Sequence, residues 1–314
     1  MDDLNLIKLM YGIAESGSFA ARDLEPGEVV SNQGYGDEKR DIDQVAEQSV
    51  VGYFLSNEPL EEFDAAMKPE DAEWGQDRWL TGNVDRISGE QLNEVDYGLI
   101  VDQVEGTKNF DNKDRYTSIA AINPENPTLE GIQASLVYRW DDTVFFSDGN
   151  RSFVNKNPEY GEHEMNVNTA TALEPVEMDE VDYKTKIRGQ LIGRNASDYA
   201  EIMDEIIDHY ELEENNWPSL KADGTTTGDI LGTITDNSIA IDTRALKDRE
   251  RLPFAQDFAP VARIARDAGV KIMTQNGEPV ETNFAEPGKG TAYIAIPPGE
   301  AQQELEQLLP NIIK

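Results

Sequence analysis

The sequence predicts a layered fold that mixes helices and strands, of α+β or α/β class with mixed sheets. Three observations lead there. Apolar residues recur at helical spacing in several separate segments, short strand-like apolar runs lie between those segments, and several runs are neighbours in sequence. The last point argues against a strict βαβ repeat.

Residues 3–22 read as a first helix. Asp41 is placed to cap a second, in which Ile42, Val45, Ala46, Val50, Tyr53 and Phe54 fall on one face. A polar, loop-rich stretch then runs to residue 95. Tyr97 to Val101 (YGLIV) is an apolar run of buried-strand type that stops at Asp102, and a Gly106-Thr107 turn follows. Strand-like runs at 117–122, 132–138 and 143–147 are separated by Asp-, Gly- and Asn-rich breaks, and Gly149-Asn150 marks a turn. Ser197 is a suitable N-cap for a helix carrying Tyr199, Ile202, Met203, Ile206, Ile207 and Tyr210 in register. A Gly/Thr-rich turn at 224–228 leads into another helix, and Ile239 to Ile241 is a strand. Asp257 opens a helix through Ala268; strands at 270–274 and 292–296 and a helix from residue 299 follow.

The 314 residues suffice for one large domain or two medium ones. Hydrophobic residues make up 38%, in well-ordered runs, so the chain reads as globular. Its charge is extreme: 62 acidic against 27 basic residues gives −35, spread along the chain. That charge repels nucleic acid, whose binding depends on Lys and Arg neutralising phosphates. No cysteine is present, which excludes disulfides, thiolate chemistry and Cys-type zinc sites. MDDLNLIKLMYGIAESGSFA lacks the basic and apolar regions of a signal peptide, and no segment has the roughly 18 consecutive apolar residues of a membrane span. A cytoplasmic protein with no membrane contact is expected. Such self-repulsion needs screening, and at molar salt the Debye length falls to roughly 3 Å. A protein from a high-salt cell is therefore expected.

In so acidic a chain, the informative carboxylates are those placed where an apolar element stops. Asp102 ends YGLIV, Glu105 follows three residues on, and Gly106 allows close backbone approach. Carboxylates with a carbonyl suit a hard cation such as Mg²⁺, and free amides at a helix start near Thr107 would hold a phosphate. On residue chemistry alone the segment also reads as a solvated acidic loop, Asp257 as an N-cap, Asp43 as a first-turn acid favoured by the helix dipole, and Gly224-Thr225 as a plain turn. His163, His209 and the Pro287-Gly288-Lys289-Gly290 turn read as structural or surface features.

VDQVEGTKNF (101–110) resembles the D-P-(I/L)-D-G-T-x-N-F segment of the inositol monophosphatase and fructose-1,6-bisphosphatase superfamily. The resemblance continues in order along the chain. Ser88-Gly89-Glu90-Gln91 resembles its Gly-Glu-Glu, and Asp41-Ile42-Asp43-Gln44-Val45-Ala46-Glu47 its Asp-x-x-Ala-Glu helix start. VYRWDDTVFFSDGNRSFVN resembles its V-Y-x-P, F-x-A, G-x-G-A-x-x-N hairpin, and Gly224-Thr225 its Gly-Ser/Thr turn. Asp242 falls where the family carries a substrate-binding acid, and AQDFA with VARIARDAGVKI resembles its Trp-Asp-x-Ala-Ala helix and following strand. Three departures stand out: Gln103 replaces the family's Pro, Glu105 its second metal-binding Asp, and Gln256 its Trp.

The resemblance implies a layered α-β-α-β-α fold in one phosphatase unit. An N-terminal α+β subdomain (1–190) would carry most metal ligands, and a C-terminal α/β subdomain (191–314) would complete it. It implies phosphomonoester hydrolysis of a small phosphorylated sugar or cyclitol, such as fructose 1,6-bisphosphate or inositol 1-phosphate. A 3′-phosphonucleotide phosphatase and a non-catalytic binding member remain alternatives. Two to three Mg²⁺ ions, or Mn²⁺ where Glu105 favours the larger ion, would be held by Glu90, Asp102, Glu105, Asp257 and the Val104 carbonyl. Glu90 and Thr107 would orient the attacking water, with Asp43 near a weaker metal. Gly106 and Thr107 amides would cradle the phosphate, and Gly224, Thr225 and Asp242 would face substrate hydroxyls. A homodimer is implied as well.

The charge yields the first prediction. Dialysed from molar KCl into about 50 mM salt without divalent metal, where the Debye length exceeds 10 Å, the chain is expected to unfold; an unchanged far-UV circular dichroism spectrum would refute the high-salt reading.

Overall fold

The computed structural model describes residues 2–24, 29–32, 38–56, 64–69, 78–81, 86–106, 115–156, 169–189, 196–221, 225–242, 255–285 and 292–313. Among them are six α-helices: α1 (Asp2–Ala21), α2 (Asp41–Ser56), α3 (Ala196–His209), α4 (Thr226–Thr235), α5 (Ala255–Asp267) and α6 (Gln302–Ile312). Packing divides the chain into two units. The first comprises Met1–Leu173, Phe254–Ile264 and Thr282–Lys289; the second comprises Glu174–Pro253, Ala265–Glu281 and Gly290–Lys314. A single division at 190 differs from this grouping, because two later segments return to the first unit.

In the first unit β1 (Val29–Asn32) and β2 (Glu38–Arg40) form a small antiparallel pair. The main sheet is built from β3 (Ala65–Pro69), β4 (Arg78–Thr81), β5 (Arg86–Ser88), β6 (Tyr97–Glu105), β7 (Tyr116–Ile122), β8 (Ile132–Arg139), β9 (Thr143–Ser147), β10 (Ser152–Lys156) and β11 (Thr171–Ala172). Its order is β11-β10-β9-β8-β7-β6-β3-β4-β5, with β3 parallel to β6 and every other pair antiparallel.

Side chains alternate across a strand, and the central strands sort accordingly. Leu99, Val101, Ile119, Ala121, Ala134, Leu136, Tyr138, Val144 and Phe146 join α1 and α2 in one apolar core. Their sequence neighbours Ile100, Asp102, Ser118, Ala120, Ser135, Val137, Phe145 and Ser147 therefore point to the opposite face. There the first-unit part of α5 lies on the sheet, tied by Ser118 Oγ donating to the Gln256 carbonyl at 3.3 Å and Ser152 Oγ donating to that of Ile264 at 2.6 Å. Arg263 adds a fork, donating to the carbonyls of Leu129, Glu130 and Gly149.

On the other face α1 is buried around most of its circumference between Leu6 and Glu15, as befits a helix covered by both a sheet and a second helix. Gly12 makes the close approach of α2 feasible, since a Cβ there would overlap the Tyr53 hydroxyl. The end of α1 is pinned to the β8–β9 turn: Arg22 donates to both oxygens of Asp142 at 2.5 and 3.2 Å, and Tyr138 Oη donates to Asp142 Oδ1 at 2.8 Å.

The second unit holds β12 (Lys186–Arg188), β13 (Ser219–Lys221), β14 (Ser238–Ile241), β15 (Lys271–Met273) and β16 (Ile294–Ile296), in the order β13-β12-β14-β16-β15. β12 runs parallel to β13 and β14, while β16 is antiparallel to β14 and β15. Ile187, Ile239, Ile241, Ile294 and Ile296 meet Tyr199, Ile202 and Ile206 of α3 and Leu305 and Leu309 of α6 in its core. Both sheets mix parallel and antiparallel pairs, as the sequence predicts. Ser197 lies inside α3, which starts at Ala196, and Asp257 is the third residue of α5, so neither is an N-cap.

At the end of α4, Asp236 accepts from Arg188 and sits 3.1 Å from Lys186 Nζ. Burial alone would raise its carboxyl pKa, but the hydrogen bonds and charges of Lys186 and Arg188 outweigh that and hold it below the usual value of 3.8. A carboxylate depressed in the folded state stabilises above its unfolded pKa and loses that contribution as pH falls through the folded one. Asp236→Asn is therefore expected to lower the thermal midpoint at pH 7, with the gap to the parent protein closing below pH 3.8. A gap that persists unchanged in acid contradicts this role for Asp236.

Candidate functional site

Strand β6 carries its apolar run straight into the candidate site. Asp102 stands opposite Ser118 on β7, and Glu105 stands opposite Tyr116. Two residues of β6, Gln103 and Val104, thus face the single residue Thr117, which makes a β-bulge. The bulge determines the chemistry. In a regular strand, residues three apart point to opposite faces. Here Ser118 and Tyr116 are two apart and share a face, so their partners Asp102 and Glu105 share it too.

Three side chains build the bulge. Asp102 Oδ1 accepts from the Val104 amide at 3.0 Å, closing a local loop around Gln103. Thr117 Oγ1 donates to the Gln103 carbonyl at 2.9 Å and accepts from Trp140 Nε1 at 3.0 Å. Gly106 leaves the strand with φ of 86°, a left-handed conformation that favours glycine. Asp102 and Glu105 are both buried, at 2% and 9% exposure, so neither belongs to a solvated loop. Asp257 lies in the first turn of α5, the helix that covers the same sheet face. It follows Gln256, whose carbonyl bonds Ser118, the residue opposite Asp102.

The other first-unit residues are placed differently. Glu90 is exposed on a short 3₁₀ helix, Gly89–Glu94, which Ser88 opens by donating its amide to Gln91 Oε1 at 3.2 Å. Asp43 is buried in the first turn of α2, together with Glu47 one turn later. Glu47 is not among the residues the sequence singles out; its signal is the four-residue spacing from Asp43 on an otherwise apolar face. Among the described residues no three Asp, Glu or His side chains gather as a ligating group. The strand supplies two, Asp102 and Glu105. All oxygen and all hard, this pair fits Mg²⁺ or Mn²⁺, and Mg²⁺ in particular is commonly held by one or two carboxylates with waters and substrate phosphate oxygens completing its shell.

No protein-family profile and no curated protein matches this chain. Solved structures do. Leishmania major fructose-1,6-bisphosphatase in its holo form matches at 17% identity, with TM-score 0.68, over 98% of this chain and 94% of that one. The extragenic suppressor protein suhB of Bartonella henselae matches at 16%, with TM-score 0.63, over 97% and 98%. Inositol monophosphatase from Anabaena matches at 13%, with TM-score 0.61, over 99% and 97%. The chain has the inositol monophosphatase fold. The layered α+β architecture expected from the sequence is thus the one found, and the likeness spans nearly the whole chain.

Two residues that the sequence singles out, Thr225 and Asp242, lie in the second unit. Thr225 is the N-cap of α4, its Oγ1 accepting from the Gly228 amide at 2.9 Å. Asp242 is buried just past β14, its amide donating to the Tyr293 carbonyl at 2.9 Å. Thr107 and Gly224 lie outside the described residues. Among those described, no helix is long and apolar enough to cross a membrane.

The bulge yields a stability prediction. Thr117→Val keeps the shape but removes the donor to Gln103 and the acceptor for Trp140, leaving two buried polar groups unsatisfied at a cost of about 1–3 kcal/mol each. Urea denaturation is expected to show a total loss of about 2–6 kcal/mol; a loss under about 0.5 kcal/mol would mean that Thr117 does not hold the bulge.

Proposed function

We propose that this chain is a divalent-metal-dependent phosphomonoester hydrolase acting on a small phosphorylated sugar or cyclitol. The observation that carries the reading is the pair of buried carboxylates, Asp102 and Glu105, which a bulge sets on one sheet face. The whole-length likeness to structures of fructose-1,6-bisphosphatase and inositol monophosphatase supports it. Asp102 and Glu105 would hold the metal, joined by the Val104 carbonyl, Asp257 and Glu90. When bound, such an ion acidifies a coordinated water and neutralises charge on the phosphoryl oxygens.

The remaining work falls to the chain itself. Asp102 is kept in one rotamer by the Val104 amide, so its second oxygen has a fixed direction. The Gly106 amide follows the strand end and would bind the phosphate with that of Thr107. Glu90 and Thr107 would orient the attacking water, and Asp43 would act on a weaker metal or its water shell. Attack in line on phosphorus needs no covalent enzyme intermediate. Gly224, Thr225 and Asp242 would bind substrate hydroxyls. A homodimer in a high-salt cytoplasm, using two to three ions, belongs to the same proposal.

The test is phosphate release from fructose 1,6-bisphosphate, inositol 1-phosphate and 3′-phosphoadenosine 5′-phosphate in about 2–3 M KCl, which screens the chain's charge, with Mg²⁺ or Mn²⁺. Release from either of the first two supports the reading, release from the nucleotide alone moves the substrate class, and release from none favours a binding role. Asp102→Asn is expected to lower kcat by on the order of 100-fold or more while the circular dichroism spectrum stays unchanged. Retained turnover refutes the site. Glu105→Asp withdraws the carboxylate by about 1.5 Å, one C–C bond. It is expected to weaken Mn²⁺ binding on the order of tenfold, whereas tighter binding would show the longer side chain to be a weakened ligand.

A further inference from the structure

Helix α5 contains a proline, Pro260, as its sixth residue. Proline has no amide hydrogen, and its ring presses on the carbonyl four residues before it. The carbonyl concerned is that of Gln256, directly ahead of Asp257. It is the carbonyl that Ser118 Oγ reaches from the sheet, at 3.3 Å. At the far end of the same stretch, Ile264 holds one of the last helical carbonyls, which have no partner within a helix. Ala268, four residues on, bonds Ala265 instead. Ser152 Oγ donates to the Ile264 carbonyl at 2.6 Å. Two sheet serines thus take two of the α5 carbonyls that lack a helical amide partner.

The two serines differ in what stands beside them. Ser152 pairs with Ser147, far from any acid of the candidate site. Ser118 is fully buried and pairs with Asp102. One hydroxyl therefore links the strand position across from Asp102 to the backbone oxygen immediately before Asp257.

We propose that Ser118 is a positioning residue of the metal site: by replacing the hydrogen bond that Pro260 removes, it sets the register of Asp257 against Asp102. The inference rests on the metal reading of Asp102 and Glu105 given above. It also gives a reason for a proline within the helix that carries Asp257. The missing amide turns an internal helix bond into a bond with the sheet.

A double-mutant cycle on the full chain tests this, read by Mn²⁺ binding to the metal-free protein in high-salt buffer, by calorimetry or electron paramagnetic resonance. Ser118→Ala is expected to weaken Mn²⁺ binding on the order of tenfold. Ser118→Cys, close in size but only a weak donor, is expected to do nearly the same and guards against a packing defect in the alanine variant. Pro260→Ala gives Gln256 its own helical amide partner, so adding Ser118→Ala to it is expected to cost less than about twofold. Unchanged binding in both Ser118 variants, or an equal loss with and without Pro260, overturns the proposal. Asp102→Asn serves as the control: if the unsubstituted protein binds no Mn²⁺, or binds it as well with Asp102→Asn, the metal reading itself falls and this role with it.

Discussion

The structure depends on one local irregularity, the two-against-one pairing of Gln103 and Val104 with Thr117. Without it, Asp102 and Glu105 would point to opposite sides of the sheet, one of them into the apolar core shared with α1 and α2. Burying a carboxylate there is costly unless it is paired. With the bulge, both acids emerge on the face that receives α5, and Val101 and Val104 keep the core face filled. Thr117 is the hinge of this arrangement because its hydroxyl serves two partners at once, the Gln103 carbonyl and the Trp140 ring N–H.

Much of this was legible in the sequence, and the reasons it was or was not are physical. The strand YGLIV could be read because a short, wholly apolar run closed by an acid suits a strand buried on both faces and suits neither a loop nor a surface helix. Helices α2 and α3 could be read from their period. The bulge could not, because pairing register is a property of two strands, and Asp102 and Glu105 taken alone are merely three apart. Strands β3, β4 and β5 fell in a stretch read as loop. AAMKP, RWLT and RIS are short and mix polar with apolar residues, so no periodic signal builds up. Strand β12 was hidden by its charges: Lys186 and Arg188 flank Ile187, and Arg188 is buried because Ser238 and Asp236 accept its donors.

The candidate ligands show the same split between kind and place. The sequence singles out Asp102, Glu105 and Asp257 by residue type, since hard oxygen donors at the ends of apolar runs are visible in one dimension. It could not tell that Glu90 would be exposed on a 3₁₀ turn while Asp43 and Glu47 are buried on α2. Those outcomes depend on which elements cover which face. Glu105 looks different in this setting as well. As a variant of an aspartate it is a departure; at the exit of a bulge, its extra methylene is one more degree of freedom for a backbone displaced from regular register.

The first unit is not continuous along the chain, and this bears on how a nascent chain folds. Its sheet is complete once β11 has been made, but α5 follows only after β12, β13, β14, α3 and α4. Until then the face bearing Ile100, Val137 and Phe145 lacks the helix that lies on it, along with the serines whose partners are the α5 carbonyls. A chain emerging from the ribosome therefore carries an apolar sheet surface while Glu174–Pro253 of the second unit is being synthesised, the kind of exposure that invites aggregation. Such a chain also lacks Asp257 until that late stage. Protection of the sheet thus arrives only with that helix, so products truncated before α5 would be prone to clearance.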